Sequence, residues 1–264
     1  MTQFPLKNLS PSKVDCFHGC QRLFYYRYLE SPFDVPQNKY FLIGNVAHKA
    51  LELFHQNLKG KPIDYGKLMS ESFKKSYTKY SVDKQAAKGF LSQQEVQGIH
   101  NMLAGYLAHI KANGHPWTMF IEKMFKTEVG GITVRGKADR VDRIELGDEE
   151  PAIKIVDYKT SSKPLSKKQV ARSVQLPTYA MWIREMDKIP DRIPIYGEYV
   201  YLKHMGTKQE SKCYLITDEM FAEAIEKYTR VVFELTHSCK FVRNREYEYC
   251  RACDYGHHCP RDNV

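Results

Sequence analysis

Two stretches of the chain, residues 136–142 with the sequence GKADRVD and residues 153–160 with the sequence IKIVDYKT, place charged side chains on predicted strands. Side chains two residues apart on a strand project from the same face, so Asp157 and Lys159 lie side by side near the end of the second stretch. Asp139 precedes Asp157 by 18 residues, a separation that a hairpin with a modest turn brings alongside. Two carboxylates and a lysine at one sheet edge are costly to place together unless a cation lies between the carboxylates. Magnesium and similar hard divalent ions accept such oxygen ligands.

The surrounding sequence predicts a sheet. Between residues 119 and 159, short alternating runs are separated by Gly130-Gly131 and by Gly147-Asp148, which predicts three strands joined by two tight turns. Similar alternation predicts a fourth strand over residues 193–202 and a fifth over residues 211–216.

Helices are predicted before, between and after these strands. Ser10 followed by Pro11 is a typical helix start, and this first helix is predicted to run to Tyr28 with a weak point at Gly19. Further helices are predicted over residues 43–58, 65–80, 93–112, 168–186 and 217–237, with a capping box at Ser92 and Glu95, a kink or late start at Pro177, and a cap at Thr217. This order predicts a mixed α/β fold in a single domain over residues 1–264. We expect a helical part over residues 1–115, an α/β core over residues 116–237 and a cysteine-bearing segment over residues 238–264.

The composition indicates a globular protein with a polyanionic partner. Hydrophobic residues make up 42% of the chain and charged residues 27%, which excludes a disordered or fibrous class. The net charge of +9 favours nucleic acid, because each lysine or arginine that neutralises a phosphate releases a counterion. The sequence shows neither a membrane-spanning apolar run nor a secretory signal, so we expect a cytoplasmic protein with no membrane partner.

The patterns GxxDRxD and DxK in the two opening stretches resemble those of the PD-(D/E)XK nuclease superfamily, in its RecB-like exonuclease branch. Two further patterns agree: a glycine four residues before a histidine in residues 44–48, GNVAH, and a Q-x-x-x-Y pattern in residues 175–179, QLPTY. Residues 9–26 resemble the first helix of that branch, except that Gln21 follows Cys20 where proline is usual. The resemblance spans about residues 9 to 260 and implies a restriction-endonuclease-like mixed sheet flanked by helices.

The resemblance also implies an active site that uses one or two Mg²⁺ or Mn²⁺ ions. The implied metal ligands are His48, Asp139, Asp157 and the backbone carbonyl oxygen of Tyr158. Lys159 would orient the attacking water or stabilise the negative charge that develops in the transition state. Gln175 and Tyr179 would support Lys159 or contact the phosphate backbone. Glu52, one helical turn after His48, is a candidate to orient the imidazole ring.

Clustered cysteines near the C-terminus favour metal chemistry over disulfides in a reducing compartment. Cys250 and Cys253 form a CxxC pattern, Cys259 follows closely, and Cys20 is the candidate for a fourth ligand. This arrangement resembles the iron–sulfur nucleases of CRISPR adaptation and the AddB nuclease domain. It implies a structural 4Fe–4S cluster that ties the two ends of the chain together.

Several side chains near these patterns have alternative interpretations. A zinc site is the alternative to the cluster, with His257 and His258 as further candidate ligands. Cys16 is an alternative to Cys20, because a continuous helix would carry both on one face. Cys16, Cys213 and Cys239 are otherwise predicted to be small apolar side chains, and Asp15 and Asp142 to be solvated or to cap helices.

We therefore expect an exonuclease that hydrolyses DNA, acting on single strands or free ends in recombination, repair or CRISPR adaptation. The chain lacks the G-x-x-x-x-G-K-S/T loop of a helicase, and a helicase or a CRISPR adaptation protein is a candidate partner instead. Three alternatives stay open: a structure-specific or RNA-directed nuclease with the same site, a non-catalytic DNA-binding partner of a recombination complex, and a regulatory or redox domain built on the cysteines.

Overall fold

The computed structural model describes residues 6–30, 39–58, 64–82, 91–147, 150–237, 240–247, 250–256 and 259. The helices are α1 (Pro11–Gly19), α2 (Gln21–Phe24), α3 (Lys39–Gln56), α4 (Tyr65–Val82), α5 (Gln93–Asn113), α6 (Lys167–Arg172), α7 (Gln175–Asp187) and α8 (Asp218–Thr236). The strands are β1 (Trp117–Val129), β2 (Ile132–Ile144), β3 (Ala152–Lys159), β4 (Ile195–Tyr201) and β5 (Ser211–Leu215). A π-helical turn, Tyr25–Leu29, continues α2.

The five strands form one mixed sheet in the order β1-β2-β3-β4-β5. β1, β2 and β3 are antiparallel neighbours, β3 and β4 are parallel, and β5 is antiparallel to β4. The chain passes from β3 to β4 through α6 and α7, because a parallel pair needs a long crossover. The predicted strands are confirmed, and so is the turn at Gly130-Gly131, where both residues have positive φ. Asp148 of the second predicted turn lies outside the described residues.

Helices cover both faces of the sheet. One core holds Trp182 of α7 and Ile155 of β3. The other holds Phe54 of α3 and Val156 of β3, so consecutive residues of one strand enter different cores. Residues 138–142 of β2 are all buried, because helices cover both faces of the sheet and neither face of the strand is exposed to solvent.

The helix predicted over residues 168–186 is divided in two, with a break at Ser173 and Val174. The Asp15 carboxylate of α1 holds this break by accepting hydrogen bonds from Ser173 Oγ at 2.8 Å and from the Val174 amide at 3.0 Å. Pro177 lies in the first turn of α7, where an amide hydrogen is not required. Of the two predictions for Pro177, the late helix start is therefore correct. Asp15 binds the residues before α7, a helix remote in sequence, and is not solvated.

The first helix begins as predicted and ends early. Ser10 Oγ accepts a hydrogen bond from the Lys13 amide at 3.3 Å. The helix ends at Gly19, and Cys20 is extended with φ −158° and ψ 109°, so the shared helix face predicted for Cys16 and Cys20 is wrong. Packing accounts for the glycine, because a Cβ at residue 19 would lie 2.5 Å from the ring of Tyr247.

Two other helix starts differ in how they are capped. The capping box of Ser92 and Glu95 at α5 is confirmed. Thr217 precedes α8 as predicted, but its side chain makes no capping hydrogen bond to the helix. None of the helices among the described residues combines the length and the apolar character that a membrane crossing requires.

The C-terminal segment lies against α1 and α2. Arg22 Nε donates a hydrogen bond to the carbonyl oxygen of Phe241 at 3.0 Å, and Asn244 Nδ2 donates to that of Gly19 at 2.9 Å. The rings of Tyr26 and Tyr255 stack with their centroids 5.5 Å apart. The two ends of the chain are therefore packed together.

A buried ion pair lies between the sheet and the α3–α5 layer. Arg140 Nε donates to both oxygens of Asp142 at 3.0 Å, and its Nη2 lies 2.9 Å from Asp142 Oδ2. Arg140 Nη1 donates to the hydroxyls of Tyr106 and Tyr158 and to His55 Nε2. Burial and the neighbouring guanidinium lower the pKa of His55 well below its usual value, which keeps the ring neutral as an acceptor. The prediction that Asp142 is solvated or caps a helix is wrong, because its charge compensates Arg140.

We expect Asp142→Asn to lower the free energy of unfolding by about 3–5 kcal/mol, because it leaves the buried Arg140 charge uncompensated. Denaturant unfolding of the purified variants measures this. Glu145→Gln is the matched control, since Glu145 pairs with Arg143 at 3.1 Å near the end of β2 with both side chains exposed. That control is expected to cost less than about 1 kcal/mol. Equal costs for the two variants would contradict the expectation.

Candidate active site

Acidic residues of β2 and β3 meet beneath α3. Asp139 Oδ2 accepts a hydrogen bond from the Tyr158 amide of the neighbouring strand at 2.8 Å. The same oxygen lies 3.3 Å from Nδ1 of His48 on α3. Asp139 thus joins the sheet to the helix, and all three residues line a cleft of about 500 Å³.

A third acidic residue, Glu122 of β1, completes a cluster that the sequence patterns do not single out. The candidate ligand atoms of His48, Glu122 and Asp139 all lie within 4.8 Å of one another. Glu122 has a φ of 49°, and such an irregularity in a strand redirects its side chain. The β1–β2 register places residue 122 opposite Asp139. The two-residue turn at Gly130-Gly131 fixes this register, so it is the sequence signal from which Glu122 could have been identified.

Asp157 and Lys159 form the other half of the site. Lys159 Nζ lies 2.6 Å from Asp157 Oδ2 and donates a hydrogen bond to Gln175 Oε1 at 3.1 Å. Gln175 Nε2 donates to Asp157 Oδ1 at 2.6 Å and to the Tyr179 hydroxyl at 3.2 Å. Gln175, the first residue of α7, therefore holds the carboxylate and the ammonium together. Tyr179 is buried and reaches the site through Gln175, so its predicted support role fits this geometry better than a contact with phosphate.

The charged side chains in the cleft shift one another's pKa values. Burial disfavours the charged imidazole, but Asp139 outweighs it and raises the pKa of His48 to about 9. Burial alone would raise the pKa of Asp139, yet the neighbouring His48 lowers it. Burial raises the pKa of Glu122. It also raises the pKa of Asp157, where repulsion from Asp139 adds to the effect although Lys159 opposes it. The carboxylates are thus held together at an energetic cost that a cation relieves.

The donor set suits a hard divalent cation. One imidazole nitrogen and two carboxylates within 4.8 Å of one another form a mixed nitrogen and oxygen set, which Mg²⁺ and Mn²⁺ accept. Asp157 lines the same cleft on the adjacent strand. The predicted trio of His48, Asp139 and Asp157 is therefore gathered in one cleft, but the compact ligand group contains Glu122 in place of Asp157.

Glu52 does not orient His48. Its Oε1 lies 2.6 Å from Lys49 Nζ and accepts a hydrogen bond from Gln56 Nε2 at 3.1 Å. The prediction that Glu52 positions the imidazole is wrong, because a lysine on the same helix is the nearer and oppositely charged partner. Asp139 takes the orienting position instead.

A second cavity, of about 400 Å³, lies where the two ends of the chain meet. Its lining includes the four cysteines predicted as ligands: Cys20, Cys250, Cys253 and Cys259. Four arginines line it as well: Arg22, Arg243, Arg245 and Arg251. Four cysteines around one cavity can supply the four sulfur ligands of a metal centre.

The remaining cysteines are placed differently. Cys16 is buried and lies outside the lining of this cavity, which favours Cys20 over Cys16 as a ligand. Burial raises the pKa of the Cys16 thiol to about 12. Cys213 is exposed on the edge strand β5, so the apolar role predicted for it is wrong. Cys239, His257 and His258 lie outside the described residues.

Comparison with known proteins identifies the class of protein that this fold and cleft define. The profile of the PD-(D/E)XK nuclease superfamily matches residues 8–260, and the chain therefore belongs to this superfamily. Its mixed five-stranded sheet between helices is the restriction-endonuclease-like fold of such nucleases. Nuclease activity and a divalent-metal site follow from this membership.

Solved structures agree at the level of the fold. A candidate exonuclease from Eubacterium rectale is 15% identical with a TM-score of 0.54, covering 93% of this chain and 88% of that chain. The protein SSO0001 is also 15% identical and covers 84% of this chain and 86% of that chain. Its TM-score is 0.34, which is too low to support a shared fold. No curated protein matches the chain at the level of sequence.

We expect Glu122→Gln to weaken the binding of Mn²⁺ by at least about tenfold, because one charged oxygen ligand is lost from the cluster. Isothermal titration of the metal-free protein with Mn²⁺ measures the affinity. Glu128→Gln is the matched control on the same strand, since Glu128 is exposed and bonded to Thr133. Equal affinities for the two variants would remove Glu122 from the metal site.

Proposed function

We propose that the protein is an exonuclease that hydrolyses DNA with Mg²⁺ or Mn²⁺ at the His48–Glu122–Asp139 cluster. The observation that carries the proposal is the placement of this cluster in one cleft with Asp157 and Lys159. A metal-ligand set and a half-buried ammonium side by side provide what phosphodiester hydrolysis needs at the scissile group.

The side chains of the cleft have separate roles in this proposal. His48, Glu122, Asp139 and Asp157 hold the divalent ion, and the backbone carbonyl of Tyr158 remains a candidate ligand. When bound, the ion polarises the phosphate and lowers the pKa of a water molecule. Lys159 stabilises the negative charge that accumulates on the phosphate oxygens in the transition state. Gln175 is a positioning residue that keeps the Lys159 ammonium beside Asp157.

DNA and free ends as the substrate are supported by less direct observations. The net charge of +9 favours a polyanion. The neighbour from Eubacterium rectale is described as a candidate exonuclease, which agrees with the resemblance to the RecB-like branch. The alternative, a structure-specific or RNA-directed nuclease, would use the same cleft.

We further propose that the four cysteines of the second cavity hold a 4Fe–4S cluster. Four thiolates are its usual ligands, and the cavity collects four cysteines. The resemblance to iron–sulfur nucleases favours the cluster, and zinc held by four thiolates is the alternative.

We expect Lys159→Met to lower kcat at least about 100-fold, because a donor to the developing charge is lost. The assay follows the release of nucleotides from end-labelled single- and double-stranded DNA with Mg²⁺ or Mn²⁺. Lys154→Met is the matched control, since Lys154 lies on the same strand and pairs with Glu198 at 3.0 Å on the opposite face. Unchanged activity of Lys159→Met would contradict the proposed role.

The same assay tests the other parts of the proposal. Linear single-stranded DNA should be degraded and a circle of the same sequence should persist, since an exonuclease needs an end. An RNA strand of the same sequence should be degraded more slowly than the DNA. Equal degradation of the circular and linear strands would show that the protein is an endonuclease and not an exonuclease.

We expect anaerobically purified protein to contain about four iron and four sulfide per chain and to be brown. Cys250→Ser should lose the iron and lower the free energy of unfolding, because ligation energy is folding energy. Cys213→Ser is the control and should retain the iron, since Cys213 is exposed on β5. One zinc per chain with no iron, measured by elemental analysis, would decide for the zinc alternative.

A further inference from the structure

Aromatic side chains line the outer part of the catalytic cleft. Tyr40 and Phe41, at the start of α3, belong to its lining and are 62% and 58% exposed. Tyr80 of α4 lines the same cleft. Rings with this exposure contribute little to the protein core, and adjacent exposed rings beside a site are typical of a binding surface.

The geometry of α3 sets the distance from these rings to the metal ligands. Phe41 precedes His48 by seven residues, which is two turns of the helix, so both side chains project from the same face. Asn45 lies between them and also lines the cleft. At 1.5 Å per residue the separation along the axis is about 10 Å. This corresponds to roughly three stacked nucleotides.

Gly44 leaves the surface of α3 open between the rings and His48. Within 4 Å, a Cβ at this position would meet one described atom, Thr160 Oγ1 at 3.5 Å, which is an ordinary contact. Glycine weakens the interior of a helix, and packing within the described structure does not require it here. Among the described residues, no side chain fills the space beside Gly44, so a ligand can occupy it there.

Lysine side chains stand among the carboxylates of this cleft, near the aromatic rings. Lys49, Lys137 and Lys159 line the same cleft. Each lies beside a carboxylate, so the charges are held in place and not freely mobile. Aromatic rings for the bases together with lysines along the backbone are the combination by which proteins bind unpaired strands.

We infer, on the basis of the proposed nuclease function, that Phe41 forms a stacking platform for an unpaired base of the strand being cut. The base lies on this ring and over Gly44 while the scissile phosphate lies at the metal ligands. A base within a duplex is stacked between its neighbours and cannot use the platform. Phe41 therefore selects single-stranded substrate.

The experiment compares Phe41→Ala with a rescue variant, Phe41→Trp, and a matched control, Phe233→Ala. Phe233 is 59% exposed on α8 and is not part of the cleft lining. Three probes are used. They are a single-stranded oligodeoxynucleotide, the same strand with three abasic nucleotides next to the digested end, and bis(p-nitrophenyl) phosphate, a small ester that needs no platform.

Phe41→Ala should raise KM for the normal strand by between about 5-fold and about 150-fold, which is the range for loss of one base–aromatic stack. It should leave kcat nearly unchanged. On the abasic strand and on the small ester, Phe41→Ala and wild type should behave alike. Phe41→Trp should restore the wild-type KM, and Phe233→Ala should leave it unaltered.

Three results would overturn the platform. The first is an unchanged KM of Phe41→Ala on the normal strand, and the second is an equal loss on normal and abasic strands. A loss on the small ester as well would assign Phe41 to the support of the metal ligands and also reject the platform. Wild-type protein that cleaves none of the three probes would instead contradict the proposed nuclease function itself.

Discussion

The pairing of β2 with β3 is the constraint on which the rest of the structure depends. It holds two buried charges of β2 against α3 at different levels: Asp139 lies beside His48 in the candidate active-site cleft, and Arg140 lies beside His55 and α5. Tyr158 is bonded to both, because its amide donates to Asp139 and its hydroxyl accepts from Arg140. Each of these buried charges requires compensation. Asp142 supplies it for Arg140, and His48 supplies it for Asp139, where a divalent cation would add to it.

The two ends of the chain are connected to the catalytic cleft through one acidic residue. Asp15 lies on α1, five residues before Cys20 of the cysteine-lined cavity. Its carboxylate binds the Val174 amide immediately before α7. Gln175, the next residue, contacts both Asp157 and Lys159. A cofactor bound at the proposed cysteine site would therefore also fix the start of α7, and with it the position of the Lys159 ammonium.

Local patterns predict the elements of this fold well and the partners of its side chains poorly. The five strands, the Gly130-Gly131 turn and the Ser92–Glu95 capping box follow from periodicity and turn chemistry, which are properties of neighbouring residues. Glu122, Asp142 and the break before α7 depend on what lies opposite in the sheet or on a remote helix, so short windows do not reveal them. The family resemblance supplied His48, Asp139, Asp157, Lys159 and Gln175, which all line one cleft. The resemblance did not include Glu122, which only the pairing register of β1 and β2 could identify. The prediction that Glu52 orients His48 was wrong, because helix spacing allows Glu52 several partners.

The turn between β1 and β2 limits how this sequence can vary in length. Two residues with positive φ close the hairpin, and the pairing that starts there reaches Glu122 and Asp139 without an insertion. Removing or adding one residue at the turn would shift the pairing by one position and turn the opposite side of β1 toward Asp139. An apolar or basic neighbour would then face that carboxylate. Homologous hairpins should accordingly tolerate changes of residue type at the turn more readily than changes in its number of residues.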